Sequence, residues 1–291
     1  MIEITLEGFK ILIGSHGSRQ IMIDSSRIDE CIQYAKQNDL RFIGINSFMG
    51  YSKTDIGFLA GLADFVEGVS IPEGRFDLAV VNTLYKLKRL GFADNKKTGI
   101  DLSNFSDLEH LACEYSPRLL SLETCKDLKT LTLTGYKPLN RNLLAIPSLP
   151  SLEELDLFVT NIVDLKGIER FGGLEKLSLY RARNLGSIDE LQALKSSLIS
   201  IEFDQCKKIE SYHVLSKLGE LRRLLISSSH SIDSLQFLNS LKKLEFFSFV
   251  GTTVVDGDLS PALGISYVGF NDMRHYSHKF KDFQTANQTS S

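Results

Sequence analysis

An apolar residue returns every third position through long stretches of this chain, and the whole pattern recurs about every 20–24 residues. The best-preserved copy runs Ile162, Leu165, Ile168, Phe171, Leu174, Leu177 and then Leu179. Another runs Ile232, Leu235, Leu238, Leu241, Leu244, Phe247 and Phe249. A unit of this size cannot bury its apolar edge alone. Stacked on its neighbours it can, so the repeat selects a solenoid over a globular domain.

Each copy centres on Leu-x-x-Leu-x-Leu, whose last two apolar residues alternate with a polar one, the signature of a strand with one face inward. Clear copies start at Leu87, Leu108, Leu128, Leu152, Leu174, Leu198, Leu221 and Leu244, and weaker ones at Leu40, Val66 and Ile265. The period-3 run ahead of each strand does not suit an α-helix, which drifts off a strict i+3 stripe. Tighter helical turns keep such a stripe on one side. Three residues past the strand, two copies carry the polar or thiol side chain that closes the turn, Asn95 and Cys206. The equivalent positions elsewhere hold Tyr136, Thr160, Ala182, Ser229 and Thr252. Those copies must satisfy the turn's backbone through hydroxyls, other backbone groups or water.

These copies resemble the leucine-rich repeat family, in particular the short-repeat class of internalin-like bacterial proteins, over about residues 62–272. The resemblance implies an α/β fold: a right-handed solenoid, or horseshoe, with a parallel sheet on its concave face and helical or extended turns on its convex face. The domain reading is an N-terminal cap with a first irregular repeat over 1–61, the solenoid over 62–272, and a C-terminal cap and polar tail over 273–291.

Caps are expected because a solenoid exposes a raw apolar edge at each end. Ile2, Ile4 and Leu6 alternate, and Phe9 to Ile13 and Gln20 to Ile23 form further strand-like runs around Gly14–Gly17, which together read as a β-hairpin or small sheet. Ser26 is placed to cap a short helix with Ile28, Cys31, Ile32 and Ala35 on one face. Residues 46–61 read as a loop with a short helix. At the far end Ile265-x-x-Val268-x-Phe270 reads as a last strand, 271–283 as a cap, and 285–291 as a polar tail without order.

Composition narrows the functional classes. The 291 residues carry a net charge of -3, so no basic footprint for a nucleic-acid backbone is present. No apolar run approaches the roughly 20 residues that span a bilayer, and acids stand where a secretory signal carries Lys or Arg. The four cysteines form neither a CxxC pair nor metal-ligand spacing. The expectation is a cytoplasmic protein with reduced thiols and no membrane association. Walker-type, GxGxxG, HExxH and GxSxG motifs are absent, and His275-x-x-His278 stands among cations, which disfavours a metal ion. Cys206 at a turn and Cys113 in place of an inward leucine read as structural thiols. No catalytic residue, metal or cofactor is expected, and the caps and repeats leave no room for an appended catalytic domain.

What remains is recognition. The residues alternating with the inward leucines face outward and build one surface: Glu154, Asp156 and Phe158, then Lys176, Ser178 and Tyr180, then Ser200, Glu202 and Asp204, then Arg223, Leu225 and Ser227, then Phe246, Ser248 and Val250. Glu154, Asp156, Phe158, Tyr180, Glu202 and Asp204 make an acidic, aromatic-bearing centre beside an apolar shoulder at Leu225, Phe246 and Val250. Exposed aromatics ringed by charge are the composition of protein–protein hot spots. An acidic face steers basic partners. The expected function is non-catalytic binding of a protein partner on the concave face, as a scaffold or regulator. The alternatives are a toxin-neutralising immunity protein, which the family analogy suggests, and an accessory subunit of an enzyme.

Overall fold

The computed structural model describes residues 2–14, 18–94 and 96–283. The chain divides into two units, 1–130 and 131–291.

The first unit opens with a hairpin. Strands β1 (Ile2–Leu6) and β2 (Phe9–Ile13) pair antiparallel, with Ile4 opposite Ile11, around a turn at Glu7 and Gly8. Both turn residues have positive φ, 50° and 83°, the conformation that a two-residue hairpin turn needs to match strand twist. β3 (Arg19–Met22) pairs antiparallel with β2. An α-helix, α1 (Ile28–Gln37), follows, and from there the chain coils.

Ser26 does not cap that helix. Its hydroxyl and its amide both bond to the Asp24 carboxylate, a local turn that competes with capping. Arg27 occupies the cap position, and its side chain makes no capping hydrogen bond. The buried helix face is Cys31, Tyr34 and Ala35, while Ile28 and Ile32 stay partly exposed. Tyr34 takes that face because its ring stacks on Phe9 of β2 at 4.2 Å.

β4 (Phe42–Gly44), β5 (Gly68–Ile71), β6 (Arg89–Phe92) and β8 (His110–Glu114) continue the sheet in parallel, in the order β3-β4-β5-β6-β8. A two-residue pair, β7 (Ile100–Asp101) with β9 (Leu119–Leu120), forms a second, smaller sheet. Ile43, Val69, Leu90 and Leu111 stand in register and are buried, one inward residue per coil. Between strands the chain makes 3₁₀ turns at Ser47–Met49, Gly57–Leu62, Ala79–Thr83, Leu102–Asn104 and Leu122–Thr124, the tighter helix that the period-3 stripe requires. Cys113 and Cys125 are buried, and burial raises their thiol pKa to about 12 and about 11.

One ion pair ties two loops of this unit. Arg118 donates through both Nε and Nη2 to the Asp94 carboxylate, a bidentate contact. That contact holds Asp94 below its ordinary value of 3.8. A carboxylate with a depressed folded pKa stabilises the fold above its unfolded pKa, and that contribution is lost as pH falls through the folded value. The expected result is a melting-temperature gap between wild type and Asp94→Asn that is full at pH 6 and closes as the pH drops below 3.8. Thermal melts across that range measure it.

In the second unit β10 (Thr130–Thr134), β11 (Glu154–Phe158), β12 (Lys176–Tyr180), β13 (Ser200–Asp204), β14 (Arg223–Ser227), β15 (Phe246–Ser248) and β16 (Tyr267–Gly269) follow one another in the sheet in sequence order. From β11 to β16 adjacent strands pair in parallel, with Leu155, Leu177, Ile201, Leu224, Phe247 and Val268 stacked as one inward row. Leu157, Leu179, Phe203 and Ile226 form a second, and every one of these ten side chains is at most 3% exposed. The connections again carry 3₁₀ turns, at Leu143–Ala145, Ile168–Arg170, Asp189–Leu194, His213–Lys217, Gln236–Ser240 and Ser260–Ala262.

Past each of β10–β15 the chain turns a corner through a left-handed residue: Gly135, Val159, Arg181, Gln205, Ser228 and Gly251 all have φ between 48° and 73°. The N–H groups of the first five donate to carbonyls of the following coil, those of Phe158, Tyr180, Asp204, Ser227 and Val250, at 2.7–3.0 Å. The ladder therefore continues one step beyond the strand.

Hydroxyls and a thiol then do what asparagine does in a regular copy. Thr252 donates its hydroxyl to the Ile226 carbonyl at 2.6 Å and accepts from the Ser229 amide at 3.0 Å. Ser229 in turn bonds to the Phe203 carbonyl and accepts from the Cys206 amide, both at 3.1 Å. The Cys206 thiol points to the Leu179 carbonyl at 3.4 Å, and burial raises its pKa to about 12. Tyr136 reaches across its own loop to the Asn142 carbonyl. Thr252→Val keeps the shape and strands one buried donor and one buried acceptor, so we expect a loss of about 1–3 kcal/mol in chemical denaturation.

At the end of the unit Phe249, Phe270, Tyr276, Phe280 and Phe283 pack as one aromatic cluster over the last coil. His275 bonds through Nε2 to the Val254 carbonyl, and His278 through Nδ1 to the Ser277 hydroxyl. Asn95, the loop at 15–17 and the tail at 285–291 lie outside the described residues. Among the described residues no helix is long and apolar enough to cross a membrane.

Candidate functional site

Because successive side chains of a strand point to opposite faces, the register that stacks leucines inward also aligns the polar positions outward in rows. One row of the second unit reads Glu154, Lys176, Ser200, Arg223, Phe246 and Tyr267. The next reads Asp156, Ser178, Glu202, Leu225 and Ser248. The third reads Phe158, Tyr180, Asp204 and Ser227. Glu154, Asp156, Phe158, Tyr180, Glu202, Asp204, Leu225 and Phe246 thus share one face, and all are partly exposed. Ser248 is buried, and Val250, in the turn beyond β15, is 44% exposed.

Adjacent strands bring the aromatics into pairs. Phe158 stacks on Tyr180 with centroids 4.4 Å apart and planes 4° from parallel. Phe246 stacks on Tyr267 at 4.5 Å and 12°. Tyr267 joins the site without having stood out in the sequence. It precedes the inward Val268 directly, so extending the outward rows by one more strand was the signal that would have found it. Arg223 lies over the Phe246 ring, its guanidinium carbon 4.0 Å from the centroid, a cation–π contact. The shoulder at Leu225 and Phe246 is therefore cationic as well as apolar.

The acidic centre is narrower than its composition implied. Glu154 is paired with Lys176, the next residue in its row. Asp156 accepts from the Thr132 hydroxyl at 3.2 Å. Among the described residues Asp156, Glu202 and Asp204 take part in no ion pair. Burial pushes the Tyr180 phenol up to about 12, helped by the charge of Glu202 and a hydrogen bond to it. At neutral pH the phenol is thus a neutral donor held against a carboxylate.

Chemically this face offers stacked π surfaces, uncompensated carboxylates and backbone-fixed spacing. Among the described residues, no group of three or more His, Cys, Asp or Glu side chains is arranged to hold a metal ion.

The coils, the inward leucine rows and the 3₁₀ turns define the leucine-rich repeat fold. An internalin from Listeria monocytogenes has a similar structure over 88% of this chain and 83% of its own, with a TM-score of 0.54 and 17% identity. A second internalin of that species, internalin C2, is 18% identical with a TM-score of 0.48 over 66% and 84% of the two chains. A leucine-rich repeat protein of Leptospira interrogans is 17% identical at 0.46 over 87% and 77%. The first of these carries the fold assignment. No family model matches the sequence, and no curated protein matches it.

Proposed function

We propose that this chain is a non-catalytic recognition protein that binds another protein on the outer face of the sheet formed by β11–β16, as a scaffold or regulator. The observation that carries this reading is the Phe158–Tyr180 stack standing beside Asp156, Glu202 and Asp204, three carboxylates that take part in no ion pair among the described residues. Half-buried aromatics within a charged rim are what interface hot spots are made of. Neutralisation of a basic toxin is a second reading, favoured by the same uncompensated acids, which would raise the on-rate of a cationic partner. Four buried, unpaired cysteines favour a reducing compartment, and we place the binding in the cytoplasm.

Affinity purification from the native cells, with a folded Tyr180→Ala/Glu202→Lys variant alongside, tests the assignment. One stoichiometric partner held by wild type and lost by the variant is the expected result. The same partner held by both moves the site off this face.

A further inference from the structure

We infer that the open face of Tyr180, with the carboxylates of Glu202 and Asp204, forms a seat for an arginine side chain presented by a basic polypeptide partner. The inference rests on the sheet-face reading above and names the chemistry of what binds there.

The geometry comes from the third outward row. Phe158 covers one face of the Tyr180 ring, and the two planes are almost parallel. The opposite face is therefore turned toward the neighbouring strand, where Asp204 stands in register with Tyr180 and Ser227 follows on the strand beyond. Strands in a sheet lie about 4.8 Å apart, so a flat group resting above Asp204 sits at stacking distance from the ring. Asp204 and Ser227 are short, and neither fills that space with a ring or a long stem. Glu202, two residues before Asp204 on the same strand, hydrogen-bonds with the Tyr180 hydroxyl.

The same face shows what such a seat takes. In the first row an aromatic pair, Phe246 and Tyr267, is also flanked by the residue of the adjacent strand, and that residue is Arg223, stacked on the outer ring face at 4.0 Å. The third row repeats the aromatic pair with its flank reversed in sign: Asp204 replaces the arginine. One pair carries its cation internally, and the other holds acids where a cation would complete it.

Arginine fits better than lysine on physical grounds. A guanidinium is planar, weakly hydrated and able to stack on a ring while donating in a fork to carboxylates; an ammonium offers only a point charge. The carboxylates alone would attract either, so the ring is what separates them.

The test titrates the full chain with N-acetyl tetra-arginine amide and with N-acetyl tetra-lysine amide at physiological ionic strength. Affinity is read by calorimetry, and position by chemical shifts of labelled tyrosine rings. We expect the arginine peptide to bind about twofold to fivefold more tightly, as one exposed cation–π contact provides, with the shift centred on Tyr180. In Tyr180→Leu, whose fold is checked by its melting curve, that preference disappears. In Glu202→Gln/Asp204→Asn both peptides weaken together. Equal affinity for the two peptides in wild type, a preference surviving in Tyr180→Leu, or shifts away from Tyr180 would each overturn the arginine seat. None of those results removes the sheet-face reading, which falls only if wild type and the Tyr180→Ala/Glu202→Lys variant capture the same partner.

Discussion

Phe249→Ala is expected to cost about 3–5 kcal/mol, the range for deleting a large aromatic from a core that cannot collapse onto the gap. Phe249 is fully buried. Its ring stacks on Phe247 at 5.1 Å and on Phe270 at 5.0 Å, and Tyr276 meets it edge-on at 6.2 Å. Phe270 in turn holds Phe280 and Phe283. Removing Phe249 takes away the surface on which the closing segment rests, and the last coil's apolar edge would meet water. Urea denaturation should show the loss. The variant should also bind a dye for exposed apolar surface below its transition, and an unchanged midpoint would mean the aromatic cluster contributes nothing to the end of the unit.

Leu177→Ala is expected to cost about 2–5 kcal/mol. Leu177 is 1% exposed and sits between Leu155 and Ile201 in one inward row. In a linear stack each coil is held by its own contacts and by its two neighbours, so the cavity weakens two interfaces at once. Hydrogen exchange should therefore quicken first in β11–β13 and leave β16 protected. A uniform rise across the unit would show that the coils unfold as one block instead.

Much of this was legible in the sequence for a local reason: a strand or a tight turn writes its own period into the burial of its residues. The inward rows at Leu155, Leu177, Ile201 and Leu224, the hairpin at the start and the 3₁₀ character of the connections follow from that. The outward rows were also legible, because register follows once the inward residues are aligned. What a side chain touches across strands was not. Lys176 neutralises Glu154, and Arg223 covers Phe246, because residues over twenty positions apart lie side by side and choose rotamers together. Ser26 misled because the Asp24 carboxylate, two residues before it, accepts from both its hydroxyl and its amide and holds it in a local turn instead of at the helix's first N–H groups. Tyr34 was overlooked on the helix because its reason for burial is Phe9, in another strand.

The left-handed corners after the strands have a consequence for how this surface can change. Glycine, valine, arginine, glutamine and serine all adopt that backbone at equivalent places, although valine enters it only against its own preference. The path is imposed by the amide's bond to the next coil and not by the side chain. Val159, 40% exposed and directly after Phe158, is such a position. The border of the proposed binding face can thus change at such a position while the scaffold behind it stays the same.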